Sequence, residues 1–184
     1  MALYNSNIGT FNSAESLAST AATSVPTSGN AIYTGNIAVV LSNATHDDLK
    51  LMANLKLDIN FASADFNGAA TNIAIIDSTG NVYSYGGQFS VINSAVYDGN
   101  ANGKAISSDL DGAAAGTVAG GTLSTLTSNL DLKGVFRSAI GGDHHVVSGS
   151  VGGSIDRSVG VDLVTYTPSS GGFYACTIDC TTLP

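Results

Sequence analysis

One stretch constrains the fold of this chain more than any other: residues 49–61, which read LKLMANLKLDINF. The even positions are polar apart from Met52, whereas every odd position is apolar. Because successive side chains of a β-strand point to opposite faces, this alternation predicts a half-buried strand. Burial of a whole face outweighs the helix propensity of Leu, Ala and Lys, which is worth only about a few tenths of a kcal/mol per residue. The apolar set is Leu49, Leu51, Ala53, Leu55, Leu57, Ile59 and Phe61.

The composition extends this prediction to the whole chain of 184 residues. Only 11% of the residues are charged, and Glu15 is the single glutamate. Polarity comes instead from Ser, Thr, Asn and 22 glycines, residue types that favour turns over helices. The chain is therefore predicted to be all-β, with many turns.

Turn clusters divide the chain into about eight to ten strand segments, a spacing typical of barrels and sandwiches. Glycines inside these segments favour a tightly curved sheet, and Pro168 falls between two of them. We therefore predict a single antiparallel β-barrel of about eight strands at residues 31–175, an irregular N-terminal arm at 1–30 and a C-terminal tail at 176–184. The predicted strand segments are 31–41, 49–61, 69–76, 82–92, 116–126, 130–136, 145–155, 159–166 and 171–175.

The charge distribution excludes several classes of function. The net charge is −8, and the six basic residues are scattered. Without a basic patch to neutralise phosphates, we expect no nucleic-acid partner. Without a run of about 18 apolar residues, we expect no membrane span. An acidic, lysine-poor composition is typical of an extracellular, cell-surface or virion protein.

Several motifs in order resemble the β-barrel domain of bacterial surface lipoproteins of the transferrin-binding protein B type. They are PTSGNAIYTGNIAV, LKLDINFASADFNGAATNI, LDLKGVF, VVSGSVGGSI and GGFYA, which together span about residues 26–175. The resemblance implies an eight-stranded antiparallel barrel with a filled interior. It also implies a non-enzymatic surface protein that recognises a host protein or haem through its loops.

Residues 98–109, DGNANGKAISSD, match the spacing of a calcium-binding loop. Calcium takes several oxygen ligands at fixed offsets, and a glycine in the sixth position allows the sharp turn. The matching ligands are Asp98, Asn100, Asn102 and Asp109. The alternative interpretation is a polar hairpin loop without a metal.

The histidines offer a second candidate metal site. His46 lies in the segment THDD, and His144 lies in GDHHVV. If the two loops met at one end of a barrel, these side chains could bind zinc or haem iron. The alternative is a pair of solvated loop histidines.

We predict no catalytic residue and no enzymatic activity. The chain has no G-x-S-x-G nucleophile elbow, and its paired carboxylates, Asp47/Asp48 and Asp109/Asp111, stand in turn-like contexts. No inward-facing polar cluster is evident in the sequence, so we expect no organic cofactor and assign no cofactor-binding residue. Whether Cys176 and Cys180 form a disulfide is left open.

Two functions fit these observations. The first is a surface-exposed recognition module that binds a protein partner through loops at a barrel end. The second is a structural subunit of an extracellular assembly, such as a virion decoration, spike or tail protein or a filament subunit. Homo-oligomerisation is left open under both.

Overall fold

Eight long antiparallel strands make up most of the chain in the computed structural model, which describes residues 25–99, 103–138 and 144–177. A 3-10 helix at Ala119–Gly121 interrupts one connection. The strands are β1 (Asn30–Ser42), β2 (Leu49–Asn60), β3 (Asp65–Ile76), β4 (Val82–Gly99), β5 (Gly103–Thr117), β6 (Leu123–Arg137), β7 (Val146–Val159) and β8 (Asp162–Cys176).

The strands close into one barrel, which confirms the predicted fold class. Each strand pairs with the next in the chain, and β8 returns to pair with β1. The connections after β1, β3, β5 and β7 therefore lie at one end, which we call the mouth. The connections after β2, β4 and β6, together with the start of β1 and the end of β8, lie at the opposite end, which we call the plugged end.

The alternation in residues 49–61 lines the interior as predicted. Leu51, Leu57 and Ile59 are fully buried, whereas Lys56 and Asp58 on the same strand are exposed. The barrel core is filled by these aliphatic side chains and by large aromatic ones from the other strands. The largest fully buried aromatic residues are Tyr33, Phe89, Phe136 and Phe173.

Glycines inside the strands allow the tight curvature of so small a barrel. A Cβ on Gly35 would lie 1.9 Å from the carbonyl oxygen of Tyr174, and one on Gly149 would lie 2.0 Å from that of Lys133. Neighbouring backbones therefore approach at these points more closely than any side chain permits.

Three parts of the strand prediction were wrong. Segment 116–126 crosses the connection that contains the 3-10 helix, and its end belongs with segment 130–136 to the single strand β6. Strand β5 was not predicted, and Asp109 and Asp111 lie inside it instead of in turns. Its inward positions are largely small residues such as Ser108, Gly112 and Ala114, so the hydrophobic alternation is weak. Segments 159–166 and 171–175 form the single strand β8, in which Pro168 faces Leu41 at an irregularity in the register. Proline is tolerated at such positions because the ladder is already interrupted there.

The boundaries of the barrel follow from β1, which begins at Asn30, and β8, which ends at Cys176. Residues 1–24 of the predicted arm and residues 178–184 of the predicted tail lie outside the described residues. Cys176 is disulfide-bonded, and Cys180 is the only other cysteine in the sequence. In the described ranges, no helix is long and apolar enough to cross a membrane.

Candidate functional site

Aromatic side chains close the plugged end of the barrel. The ring of Phe136 lies 5.9 Å from that of Tyr33 and 5.8 Å from that of Phe61, measured between centroids. The Tyr33 hydroxyl donates a hydrogen bond of 2.7 Å to the main-chain oxygen of His144, whose ring packs edge-on against Phe61. Burial raises the pKa of Tyr33 above its usual range, so the phenol stays neutral. Among the described residues, these contacts fill the interior at this end of the barrel.

The mouth differs because polar side chains face the interior there. Tyr85 pairs with the buried Ile73, and Ser124 pairs with Gly116, so both side chains point into the barrel. The hydroxyls of Tyr85 and Ser124 lie 2.8 Å apart, and both residues are almost completely buried. Arg157 donates a longer hydrogen bond of 3.4 Å from Nε to the Tyr85 hydroxyl. Three strands thus contribute to one inward-facing polar cluster, which we call the mouth cluster.

Arg157 carries the positive charge of the mouth cluster. It pairs across the sheet with the buried Leu126, so it faces inward although it is charged. Among the described carboxylates, none lies within ion-pairing distance of its guanidinium. A hydrogen bond to Asp77 raises the pKa of the nearby Tyr83, and the charge of Arg157 opposes that shift. Arg157 therefore presents a cation whose described partners are neutral.

A small pocket of about 170 Å³ opens beside Arg157. That volume corresponds to roughly five water molecules at about 30 Å³ each, or to one small acidic group. His46 enters the pocket from the first connection, with its ring 6.5 Å edge-on from Tyr166 and its Nδ1 atom 3.2 Å from the Asn43 side-chain oxygen. Two valine side chains and one carboxylate complete the lining. The full set of lining residues is His46, Arg157, Val159, Asp162, Val164 and Tyr166.

Three exposed apolar side chains lie at the same end of the barrel as this pocket. Leu123, Val161 and Leu163 are 62%, 100% and 69% exposed, respectively. The amide of Gly160 donates a hydrogen bond of 3.1 Å to the main-chain oxygen of Leu123, which brings the turn that precedes Val161 next to the start of β6. We call these three residues the apolar rim. Clustered exposed apolar residues are typical of surfaces that bind other proteins.

A hydrogen-bonded turn fixes the opposite side of the mouth. Slight burial would raise the pKa of Asp77, but hydrogen bonds from Thr79, from the side chain and amide of Asn81, and from Tyr83 outweigh it and hold that pKa well below its usual range. Ser78 donates a hydrogen bond of 2.8 Å to Asp47, which joins this turn to the loop that carries His46. The connections of the mouth are therefore held in place by their own polar side chains.

The two histidines predicted to share a site lie at opposite ends of the barrel. His46 belongs to the first connection, at the mouth, and His144 belongs to the sixth, at the plugged end. Successive connections of an antiparallel barrel lie at alternate ends, so the first connection and the sixth connection cannot meet. A zinc or haem site that uses both side chains is thus incompatible with this fold.

The predicted calcium ligands are also separated. Asp98 forms an ion pair of 2.6 Å with Lys104, whereas Asp109 accepts a hydrogen bond of 2.6 Å from Asn93. Asp98 and Asp109 pair at different levels of the β4–β5 ladder, about 17 Å apart along the strand. Asn100 and Asn102 lie outside the described residues. Within the described ranges, no three or more His, Cys, Asp or Glu side chains are grouped to hold a metal ion.

The mouth cluster was missed in the sequence, where no inward polar group was expected. A signal for it exists: Arg157 stands in the alternation Ile155, Arg157, Val159, in a position that an apolar residue would occupy. Tyr83 and Tyr85 show the same pattern in β4. A charged residue in register with buried neighbours indicates an inward polar position.

No protein family, curated protein or solved structure matches this chain.

Proposed function

We propose that this chain is a non-enzymatic, surface-exposed recognition module that binds a protein partner through the mouth of its barrel. The observation that carries the proposal is the inward-facing Arg157, whose described partners are neutral, beside the exposed apolar rim. The resemblance of its motifs to barrels of the transferrin-binding protein B type supports the same function. An extracellular, cell-surface or virion location accords with the acidic composition, and the proposal needs neither an organic cofactor nor a metal.

The chemistry of the mouth indicates what the partner presents. A partly buried guanidinium that forms no ion pair with a described carboxylate is poorly compensated, and a charge-assisted hydrogen bond to a ligand would compensate it. Arg and Tyr are enriched among the residues that dominate binding energy at protein interfaces, where surrounding apolar contacts exclude water. The fitting ligand is therefore an acidic side chain, Asp or Glu, flanked by apolar residues that cover Leu123, Val161 and Leu163.

The hydrogen bonds of the mouth cluster argue for binding over catalysis. The hydroxyls of Tyr85 and Ser124 bond to each other, and the Tyr85 hydroxyl also accepts a hydrogen bond from Arg157. Among the described residues, neither hydroxyl is bonded to a histidine or a carboxylate that could remove its proton, which an activated nucleophile requires.

A random peptide library selected on the wild-type protein tests this proposal. We expect the enriched peptides to carry Asp or Glu next to aliphatic residues. They should lose at least about tenfold in affinity, or about 1.4 kcal/mol, for Arg157→Gln. Lys56→Gln, which removes the same charge from the exposed outer wall, is the matched control and should bind like the wild type. Peptides without acidic residues, or equal binding to all three proteins, would contradict the proposal.

A structural subunit of an extracellular assembly is the second candidate, and the apolar rim is the observation that favours it. The same three side chains could pack against a neighbouring subunit instead of a separate partner. Sedimentation velocity separates the two functions. A subunit should form oligomers that Leu163→Asp dissociates, whereas a recognition module should remain monomeric with and without that substitution.

A further inference from the structure

A small apolar cluster lies on the outer wall of the barrel, apart from the interior. It consists of Ala38, Met52 and Ile76, with the partly buried Val40 packed against them, and we call it the outer patch. Met52 pairs with Ala38 on one side, and its neighbour Leu51 points into the core. The outer patch is thus built from outward-facing positions of β1, β2 and β3.

These outward-facing residues are far more buried than their position predicts. Ala38, Met52 and Ile76 are only 1%, 6% and 2% exposed. Two neighbouring apolar residues on the outer wall are largely exposed: Ile32, on the same strand as Ala38, is 51% exposed, and Val82, which pairs with Ile76, is 58% exposed. The curvature of the wall alone does not bury such residues, so another segment must cover the outer patch.

Several segments lie outside the described residues, and their extended lengths decide which of them can cover the outer patch. Ile76 is level with Val40 of β1, roughly 33 Å along the strand from Asn30, where residues 1–24 join the barrel through residues 25–29. An extended chain spans at most about 3.5 Å per residue, so residues 1–24 reach roughly 80 Å.

The other such segments are too short to cover the whole patch. Fully extended, residues 178–184 would reach roughly 25 Å, which is no more than the roughly 27 Å from Thr177 to Ile76, and the disulfide at Cys176 shortens that reach further. Residues 100–102 and 139–143 are short connections that are held at both ends on other strands.

We propose that residues 1–24 cross the outer wall from the plugged end and pack apolar side chains onto the outer patch. The segment supplies suitable groups in Leu3, Ile8, Phe11 and Leu17. Glu15 is its only charged residue. The outer patch is thus a docking surface for a segment of the same chain, independent of the mouth.

Methionine methyl NMR on the full-length protein tests this proposal, because the chain has only two methionines, Met1 and Met52. With [methyl-13C]methionine and a soluble paramagnetic agent, the Met52 signal should be protected in the wild type. Ile8→Asp with Phe11→Asp should increase its paramagnetic relaxation severalfold. The matched control Thr10→Asp, in the same segment, should leave the signal unchanged, and Met52→Leu assigns it.

Two results would overturn the proposal. The first is a Met52 methyl group that stays protected in Ile8→Asp with Phe11→Asp, which would mean that another segment covers it. The second is protection that is lost on dilution while sedimentation shows a dimer dissociating, which would make a second copy the occupant. If the aspartate pair prevents folding, as a thermal melt of the sample would show, Ile8→Ala with Phe11→Ala gives the same readout with a smaller increase.

Discussion

The two ends of the barrel are built from the same eight strands but have opposite chemistry. At the plugged end, Tyr33, Phe61 and Phe136 fill the interior, and the Tyr33 hydroxyl donates its hydrogen bond to a main-chain oxygen. At the mouth, Tyr85 and Arg157 bring polar atoms inward, and a small pocket is left open beside them.

Under the proposed function, this difference separates stability from binding within one fold. The apolar side chains packed at the plugged end contribute to the free energy of folding and present no hydrogen-bonding group to a ligand. Polar groups at the mouth contribute less to folding, because their hydrogen bonds replace bonds to water. Since a partly buried charge is costly unless it is paired, the inward position of Arg157 is the main support for the proposed role in binding.

Substitutions in the barrel wall, which both ends share, should have the largest effect on stability. Leu57→Asp places a charge in the packed core, which costs several kcal/mol, so the variant should not fold. Lys56→Asp, one residue away on the exposed face, should melt within about 2 °C of the wild type. Circular dichroism melts of the two variants compare them directly. Similar behaviour would mean that the alternation does not define the inside of the barrel.

A substitution at the plugged end should be the next most severe. Phe136→Ala removes a fully buried ring that contacts Tyr33 and Phe61, so we expect a loss of about 3–5 kcal/mol in the free energy of unfolding. Val161→Ala, at the fully exposed edge of the mouth, should change it by less than about 0.5 kcal/mol. Urea denaturation gives both values. A loss below about 1 kcal/mol for Phe136→Ala would show that this end is not tightly packed.

A smaller effect is expected inside the mouth. Tyr85→Phe keeps the ring but removes the hydroxyl that bonds to both Ser124 and Arg157. The free energy of unfolding should therefore fall by about 1–2 kcal/mol. The same variant should bind the selected acidic peptides more weakly, because Arg157 loses the group that orients it. Calorimetry measures the binding. Unchanged affinity together with reduced stability would show that Tyr85 stabilises the fold but does not contribute to peptide binding.

The smallest effect concerns the turn at Asp77. Because its folded pKa lies below the usual value near 4, the ionised Asp77 stabilises the fold above that pH. The stabilisation is lost only as the pH falls through the lower folded pKa. Asp77→Asn should therefore lower the melting temperature slightly at pH 7, and the difference from the wild type should shrink as the pH falls below about 4. A difference that is constant with pH would contradict this account.

The sequence predicted the barrel because the alternation in residues 49–61 is long and its inward side chains are large. Strand β5 escaped prediction because Ser108, Gly112 and Ala114 leave little hydrophobic contrast between its faces. That His46 and His144 lie at opposite ends could have been predicted by counting strands, since successive connections of an antiparallel barrel lie at alternate ends.

The mouth cluster needed information that a local pattern does not contain. The position of Arg157 among apolar neighbours indicates that it faces inward. That its partner is Tyr85, 72 residues earlier in the chain, depends on closure of the sheet and on the registers of β4 through β7. Only the assembled barrel brings these side chains to one end.

The most direct test of a binding mouth and an inert plugged end is an NMR titration with a peptide selected from the library. We predict a saturable shift of the Arg157 side-chain Nε–Hε signal, accompanied by shifts of the Leu123, Val161 and Leu163 amides. The amides of Tyr33 and Phe136 at the plugged end should stay in place. Shifts confined to the plugged end or the outer wall, with the Arg157 signal unchanged, would contradict the account.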